Sequence, residues 1–167
     1  NEMSRSITFV IDDKVDTQIT ISENDDGTLT FDLLVLATGK ISDLRALFFD
    51  LNGVTADDNL MILGGNHVTE SVFDEANVDT VGGDGNINGA VNNEFGNFDV
   101  GIGLGTSGPG DDDLQSTSCT LGHATLLLNL DMIDLADFGI RTTSVGMKAG
   151  DQANGVGQND ALDVDEN

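Results

Sequence analysis

Thr17 to Ala37 reads TQITISENDDGTLTFDLLVLA. Ile19 and Ile21 share one face of the first run, with threonine and glutamine on the other. Glu23-Asn24-Asp25-Asp26-Gly27 interrupts that alternation, and Thr28 to Ala37 leaves it as a second β-rich run. Two β-rich runs around an Asn/Asp-Asp-Gly turn predict an antiparallel hairpin. The Asp25-Asp26 pair fits the chemistry of that turn, because a short carboxylate bonds to nearby backbone amides.

The same period of two extends on both sides. Ile7, Phe9 and Ile11 alternate with Ser6, Thr8 and Val10, which predicts an N-terminal strand. Ile41 to Asp50 (ISDLRALFFD) carries Leu44, Leu47 and Phe48 at helical spacing. The flanking Gly39 and Gly53 and the Phe48-Phe49 pair suit a strand buried on both faces, so this segment reads either way. Leu60 to Leu63 (LMIL) reads as a short buried strand, and Val72 to Asn77 as a helical turn. Phe98 to Leu104 returns to alternation. Three further β segments follow, at Gln115–Leu121, Ala124–Leu130 and Phe138–Lys148. Asp131 to Asp137 (DMIDLAD) looks like one helical turn capped by Asp131. The stretch from Leu51 to Gly110 otherwise reads mostly as loops. About nine or ten strands with short turns predict an all-β fold, an antiparallel β-sandwich that is jelly-roll-like. No internal repeat is visible, and 167 residues suit a single domain over 1–167.

Composition narrows the function classes. The net charge is -24, and 24 of the 30 acidic residues are aspartate. Such a surface repels nucleic acid and anionic membranes. No apolar run approaches the ~20 residues that cross a bilayer as a helix. One cysteine, Cys119, forms no intrachain disulfide. Its alternation with Thr117 and Leu121 marks it as a small core residue. No N-terminal signal is visible, which leaves a processed segment or export by another route.

Aspartate presents a hard oxygen close to the backbone, as a Ca²⁺ loop requires. A halophile's acidic surface is the rival explanation, but such surfaces draw on glutamate as well. Three oxygen clusters stand out in the middle of the chain. Asp74, Glu75, Asn77 and Asp79 form the first. Asp84, Asn86, Asn88 and Asn92 form the second. Glu94, Asn97 and Asp99 follow. Alternate spacing puts side-chain oxygens on one side of a curved loop, and Ca²⁺ takes six to eight of them. Asp111-Asp112-Asp113 is the densest charge, and its carboxylates repel unless solvated or neutralised. The expected metal ligands are therefore Asp74, Asn77, Asp79, Asp84, Asn86, Asn88, Asp99, Asp111, Asp112 and Asp113, with Ca²⁺ as the cofactor. Asx turns without an ion are the alternative for the same residues. Asp12-Asp13 with Asp16 is a weaker cluster. No EF-hand spacing is present. Gly82-Gly83-Asp84-Gly85-Asn86 matches one turn of a calcium β-roll, but Ile87 stands where the repeat needs aspartate, and the turn is solitary. Gly101 to Gly105 (GIGLG) lacks the helix a dinucleotide site needs.

Catalytic signals are thin. His67 and His123 are the two histidines. Ser118, Cys119 and His123 are near in sequence, but a triad is a matter of geometry. His123 follows Gly122 in a predicted hairpin turn and reads as a surface residue.

Three phrases carry a resemblance: Phe98–Leu121 (FDVGIGLGTSGPGDDDLQSTSCTL), Asp137–Gly146 (DFGIRTTSVG) and Ile41–Gly53 (ISDLRALFFDLNG). Together they are similar to a family of uncharacterised bacterial secreted or surface β-domains. Some of those proteins carry hemolysin-type calcium repeats or C-terminal sorting signals. The resemblance implies export and calcium dependence, and it brings no catalytic residues. Cys119 departs from it, standing where an aromatic or apolar residue is expected.

The expectation is a non-enzymatic, extracellular calcium-binding subunit of a surface, matrix or filament assembly, a homo-oligomer or polymer that self-associates or adheres. The N-terminal strand Ile7–Ile11 is the candidate for donation to a neighbouring copy. The alternative is a calcium-dependent carbohydrate-binding module with a surface glycan as partner. The absence of Trp and Tyr weighs against it, because sugars commonly stack on those rings. A hydrolase is the third reading.

Overall fold

The computed structural model describes residues 4–12, 15–36, 41–82, 85–86, 97–105, 114–146, 155–159 and 165–166. These residues form strands and one 3-10 turn. The strands are β1 (Ser6–Ile11), β2 (Thr17–Glu23), β3 (Leu29–Val35), β4 (Ile41–Leu51), β5 (Leu60–Gly64), β6 (Val68–Val78) and β7 (Thr80–Val81). They continue as β8 (Gly85–Asn86), β9 (Phe98–Leu104), β10 (Ser116–His123), β11 (Ile133–Gly146), β12 (Gly155–Asn159) and β13 (Asp165–Glu166). Sheet A has the order β13-β1-β2-β3-β10-β5, and sheet B the order β12-β11-β4-β9-β6. Every described pairing is antiparallel. The two sheets share one core, so the fold is an antiparallel β-sandwich. A jelly roll would interleave its strands between the sheets throughout. Here β1–β2–β3 run as a meander within sheet A, and the alternation between sheets begins only at β4.

The Thr17–Ala37 hairpin forms as its sequence predicts. Ile19, Ile21, Leu29, Phe31 and Leu33 point into the core, and β2 pairs β3 from Thr17↔Val35 to Glu23↔Leu29. Asp26 Oδ1 accepts the Thr28 N–H at 3.1 Å and the Thr28 hydroxyl at 2.6 Å. Gly27 takes φ 85°, a backbone conformation that strains other residues, and a Cβ there would also crowd Leu127.

With no Trp or Tyr, phenylalanine bridges the sheets. Phe9 meets Phe138 edge to face at 5.0 Å. Phe138 stacks on Phe49 at 5.4 Å, and Phe49 on Phe31 at 4.9 Å. Phe9 and Phe31 belong to sheet A, Phe49 and Phe138 to sheet B. Each such ring removed from water contributes roughly 1.5–3 kcal/mol. The strand reading of Ile41–Asp50 is correct, and its two faces are both buried. Phe49 enters the main core, while Phe48 joins a satellite cluster with Ala46, Val78, Val81 and Phe98.

Several local expectations are overturned. Val72–Asn77 is strand within β6 and not a helical turn. The helical turn is shorter and earlier than Asp131–Asp137: it spans Leu130–Met132, is capped by Asn129, and gives way to β11 at Ile133. Ala124–Leu130 is not a strand. His123 Nδ1 accepts the Thr125 and Leu126 N–H groups at 3.1 and 3.0 Å and turns the chain there. Leu60–Leu63 is a strand, but it ends a sheet, and Leu63 is 57% exposed. β1 pairs β2 along its whole length, Ser6↔Ser22 to Ile11↔Thr17, and is already a member of its own sheet. Its donation to another copy would break those pairs.

Candidate metal centre

The carboxylates converge at one end of sheet B, where two strands bulge. Between Asp134↔Asp50 and Phe138↔Phe49 the β11–β4 register shifts, so Leu135, Ala136 and Asp137 stand opposite no residue of β4. Asp134 Oδ1 accepts the Ala136 N–H at 3.1 Å and fastens the bulge. The result places one carboxylate oxygen each from Asp50, Asp134 and Asp137 within 4.8 Å of one another.

The network continues across β4 into β9. Asp50 Oδ1 accepts the Asp99 N–H at 2.9 Å, and Asp99 Oδ2 accepts the Leu51 N–H at 2.8 Å. The other Asp99 oxygen accepts the Ala76 N–H at 2.8 Å. Ala76 has φ 58° and lies in the second bulge, where β6 shifts between Phe73↔Val100 and Val78↔Phe98. One chain of carboxylates thus runs over three adjacent strands, β11, β4 and β9, and the Ala76 N–H ties it to β6.

The electrostatics of this end are those of like charges held together. Burial pushes the Asp50 carboxyl up to about 8, assisted by a hydrogen bond to Asp137 and by the charges of Asp137 and Asp99; the Asp99 N–H opposes the rise. A hydrogen bond between two carboxyls needs a proton on one of them. The group therefore has two ways to relieve its repulsion, a shared proton or a cation. Hard oxygens at this spacing suit Ca²⁺, with backbone carbonyls and water completing a shell.

The expected ligands fare unevenly. Asp99 belongs to the network as a second carboxylate beside Asp50. Asp74 and Asn77 lie together in the β6 bulge, with Asn77 Nδ2 donating to Asp74 Oδ1 at 3.3 Å. Asp79 accepts the Thr80 hydroxyl at 3.2 Å. Among the described residues none of Asp74, Asp79 and Asp99 joins a group of three potential ligands, and both Asp99 oxygens already accept backbone N–H groups. Asp84, Asn88, Asp111, Asp112 and Asp113 lie outside the described residues, as does the Asn86 side chain. Sequence reading missed Asp50, Asp134 and Asp137. The signal for Asp134 and Asp137 is the three-residue spacing in DMIDLAD, which equally suits a helical turn, and Asp50 has no local signal.

A second polar feature lies at one end of sheet A. Arg5 grips Glu23, with Nη2 to Oε2 at 2.9 Å, and reaches Asp131 at 3.3 Å. Burial pushes the Glu23 carboxyl up, but the Arg5 side chain and the Leu130 and Arg5 N–H groups outweigh it and hold it below its ordinary value. An open cavity of about 970 Å³ lies here, lined by Ser4, Asn24, Asp25, Asn129, Asp131 and Leu127 among others.

Cys119 is buried, and burial followed by the Asp32 charge pushes its thiol up to about 12, which makes it inert as a nucleophile. No helix among the described residues is long and apolar enough to cross a membrane. No protein-family model, curated protein or solved structure matches the chain.

Proposed function

We propose that this protein is an extracellular, calcium-stabilised structural subunit of a surface, matrix or filament assembly. The observation that carries the reading is the convergence of Asp50, Asp134 and Asp137 within 4.8 Å at the bulged end of sheet B. Three carboxylates brought together from two strands destabilise a fold unless something neutralises them. A cation that binds only the folded chain stabilises it in proportion to its concentration. A net charge of -24 adds a second role for the same ion, since neighbouring subunits repel until that charge is screened.

A thermal melt in calcium and in EGTA, at matched ionic strength, tests the reading. A calcium-specific rise in Tm that Asp134→Asn and Asp137→Asn abolish supports the site. A rise no larger than sodium or magnesium provides at equal ionic strength leaves the acidity as plain solvation and removes the site.

One observation favours a second reading, the carbohydrate-binding module. The cavity at Ser4–Asp131 combines side-chain hydroxyl, amide and carboxylate groups with Leu127, which is 74% exposed. A polar rim beside an apolar platform suits a sugar ring. A glycan array in calcium buffer decides it: reproducible binding that Leu127→Asp removes favours the module.

A further inference from the structure

We propose that β5 is the edge through which a second copy of this chain docks, by antiparallel β5–β5 pairing that joins two A sheets into one. The inference rests on the self-association reading and names the surface that performs it.

β5 ends sheet A. It pairs β10 on one side, through Leu121↔Ile62, Gly122↔Met61 and His123↔Leu60; the register then shifts at Leu63 before Thr120↔Gly64, and no described strand pairs its other side. Its sequence, LMILG, carries no charge in a chain of net charge -24. Leu63 is exposed and Met61 half-buried. Natural edges are usually blunted by charge, proline or a bulge; β5 carries neither charge nor proline, and its bulge at Leu63 leaves Leu60–Ile62 as the regular stretch of edge. The other edges of this sandwich are less receptive. β6 carries Glu70, Asp74 and Glu75, all exposed. β13 is the acidic pair Asp165–Glu166, and β12 (GVGQN) offers one apolar residue among glycines and amides.

Charge selects the partner and the line of approach. Two copies repel over most of their surface. Along the outer face of β1, β2, β3 and β10 the outward residues are serines, threonines, a glutamine and two apolar side chains, with Asp32 as the one charge. A copy arriving edge to edge continues this neutral face and meets no carboxylate on β5 or β10. Antiparallel pairing also brings the Asp57-Asp58 turn toward the Asn66-His67 turn of the second copy, acid against imidazole. Beside the edge, a groove of about 320 Å³ between β5 and β6 is lined by Ile62, Leu63, Gly65 and Val68 and can receive an apolar side chain. Five residues of edge bury less than the ~800 Å² per partner of a standard interface, so a single contact is weak, at about micromolar affinity or weaker.

Sedimentation velocity in calcium buffer, from about 10 µM to about 1 mM protein, tests the contact. Wild type, Leu63→Lys, Met61→Lys and Thr8→Lys are compared, each first shown to be folded by its melt. The last variant adds the same charge to the same face, far from the edge. The expected result is a concentration-dependent dimer, weakened at least about tenfold by either β5 variant and unchanged by Thr8→Lys. Association that ignores both β5 variants overturns this inference while leaving self-association intact. A chain monomeric throughout the range overturns both, and the calcium melt still decides the metal site separately.

Discussion

Phe48 and Phe49 are neighbours in the chain and belong to separate hydrophobic clusters on opposite faces of β4. Phe49 stacks between Phe31 and Phe138 in the core shared by both sheets. Phe48 packs 5.8 Å from Phe98 on the far side of sheet B, under Val78 and Val81.

Removing each ring therefore has a different consequence. Phe49→Ala opens a cavity between the sheets and costs about 3–5 kcal/mol in global stability. Phe48→Ala loosens the cover formed by Val78 and Val81. Hydrogen exchange separates the two: in Phe48→Ala the amides of β7 lose protection while those of β2 and β3 keep theirs. Equal loss across both sheets would show the satellite cluster to be part of one cooperative unit.

The pH dependence of stability follows from Asp50. Its carboxyl rises from 3.8 to about 8 on folding, so the folded chain holds a proton that the unfolded chain has released. Stability from this group is complete below about pH 4 and is lost as pH rises toward 8. In EGTA, Tm falls across that window, and Asp50→Asn flattens the fall. After discounting for solvent screening at this half-exposed site, the gain from Asp50→Asn at pH 8 is about 1–2 kcal/mol. An unchanged slope in Asp50→Asn would place the proton elsewhere.

Glu23 acts with the opposite sign. Its carboxyl is lowered on folding, so its contribution is present above pH 4.5 and is lost as pH falls. It accepts the Leu130 N–H at 3.0 Å and the Arg5 N–H at 2.9 Å besides gripping the Arg5 guanidinium. Glu23→Ala removes the acceptor of the Leu130 and Arg5 N–H groups and one of the carboxylates that hold the Arg5 guanidinium, and costs about 1–3 kcal/mol by urea denaturation at pH 7. The difference from wild type narrows by pH 3.

Gly101 is a packing residue. A Cβ there would lie 2.8 Å from Val78 Cγ1 and 3.2 Å from Phe48 Cε1. Gly101→Ala overfills the satellite cluster and costs about 1–3 kcal/mol. Val78→Ala makes room, so the double variant loses less than the sum of its parts, which a double-mutant cycle measures. Strict additivity would mean that strand β9 simply shifts away.

The strands of the meander were legible because each has an unbroken period of two and one buried face. β4 was legible once the Phe48-Phe49 pair was read as two buried faces. The two helical misreadings, Val72–Asn77 and Asp131–Asp137, fall on the two bulges. A bulge adds residues to one strand and turns a period of two into an apparent period of three or four. The same bulges gather Asp50, Asp134, Asp137 and Asp99, so the feature that disguised the strands also concealed the site. Sequence clusters such as Asp74–Asp79 are local, whereas the observed group comes from residues far apart in the chain. Leu126-Leu127-Leu128 imitated a strand, but His123 had already turned the chain.

The order of strands has a kinetic consequence. In sheet A, β1, β2 and β3 find their partners next to them in sequence. In sheet B, β4 pairs with β9 and β11, both much later in the chain. During synthesis the meander can close early, while Phe48 and Phe49 wait in water for strands not yet made. Such long-range pairing slows folding toward milliseconds to seconds, and the interval in which two adjacent phenylalanines stand bare is when this chain is most prone to aggregate.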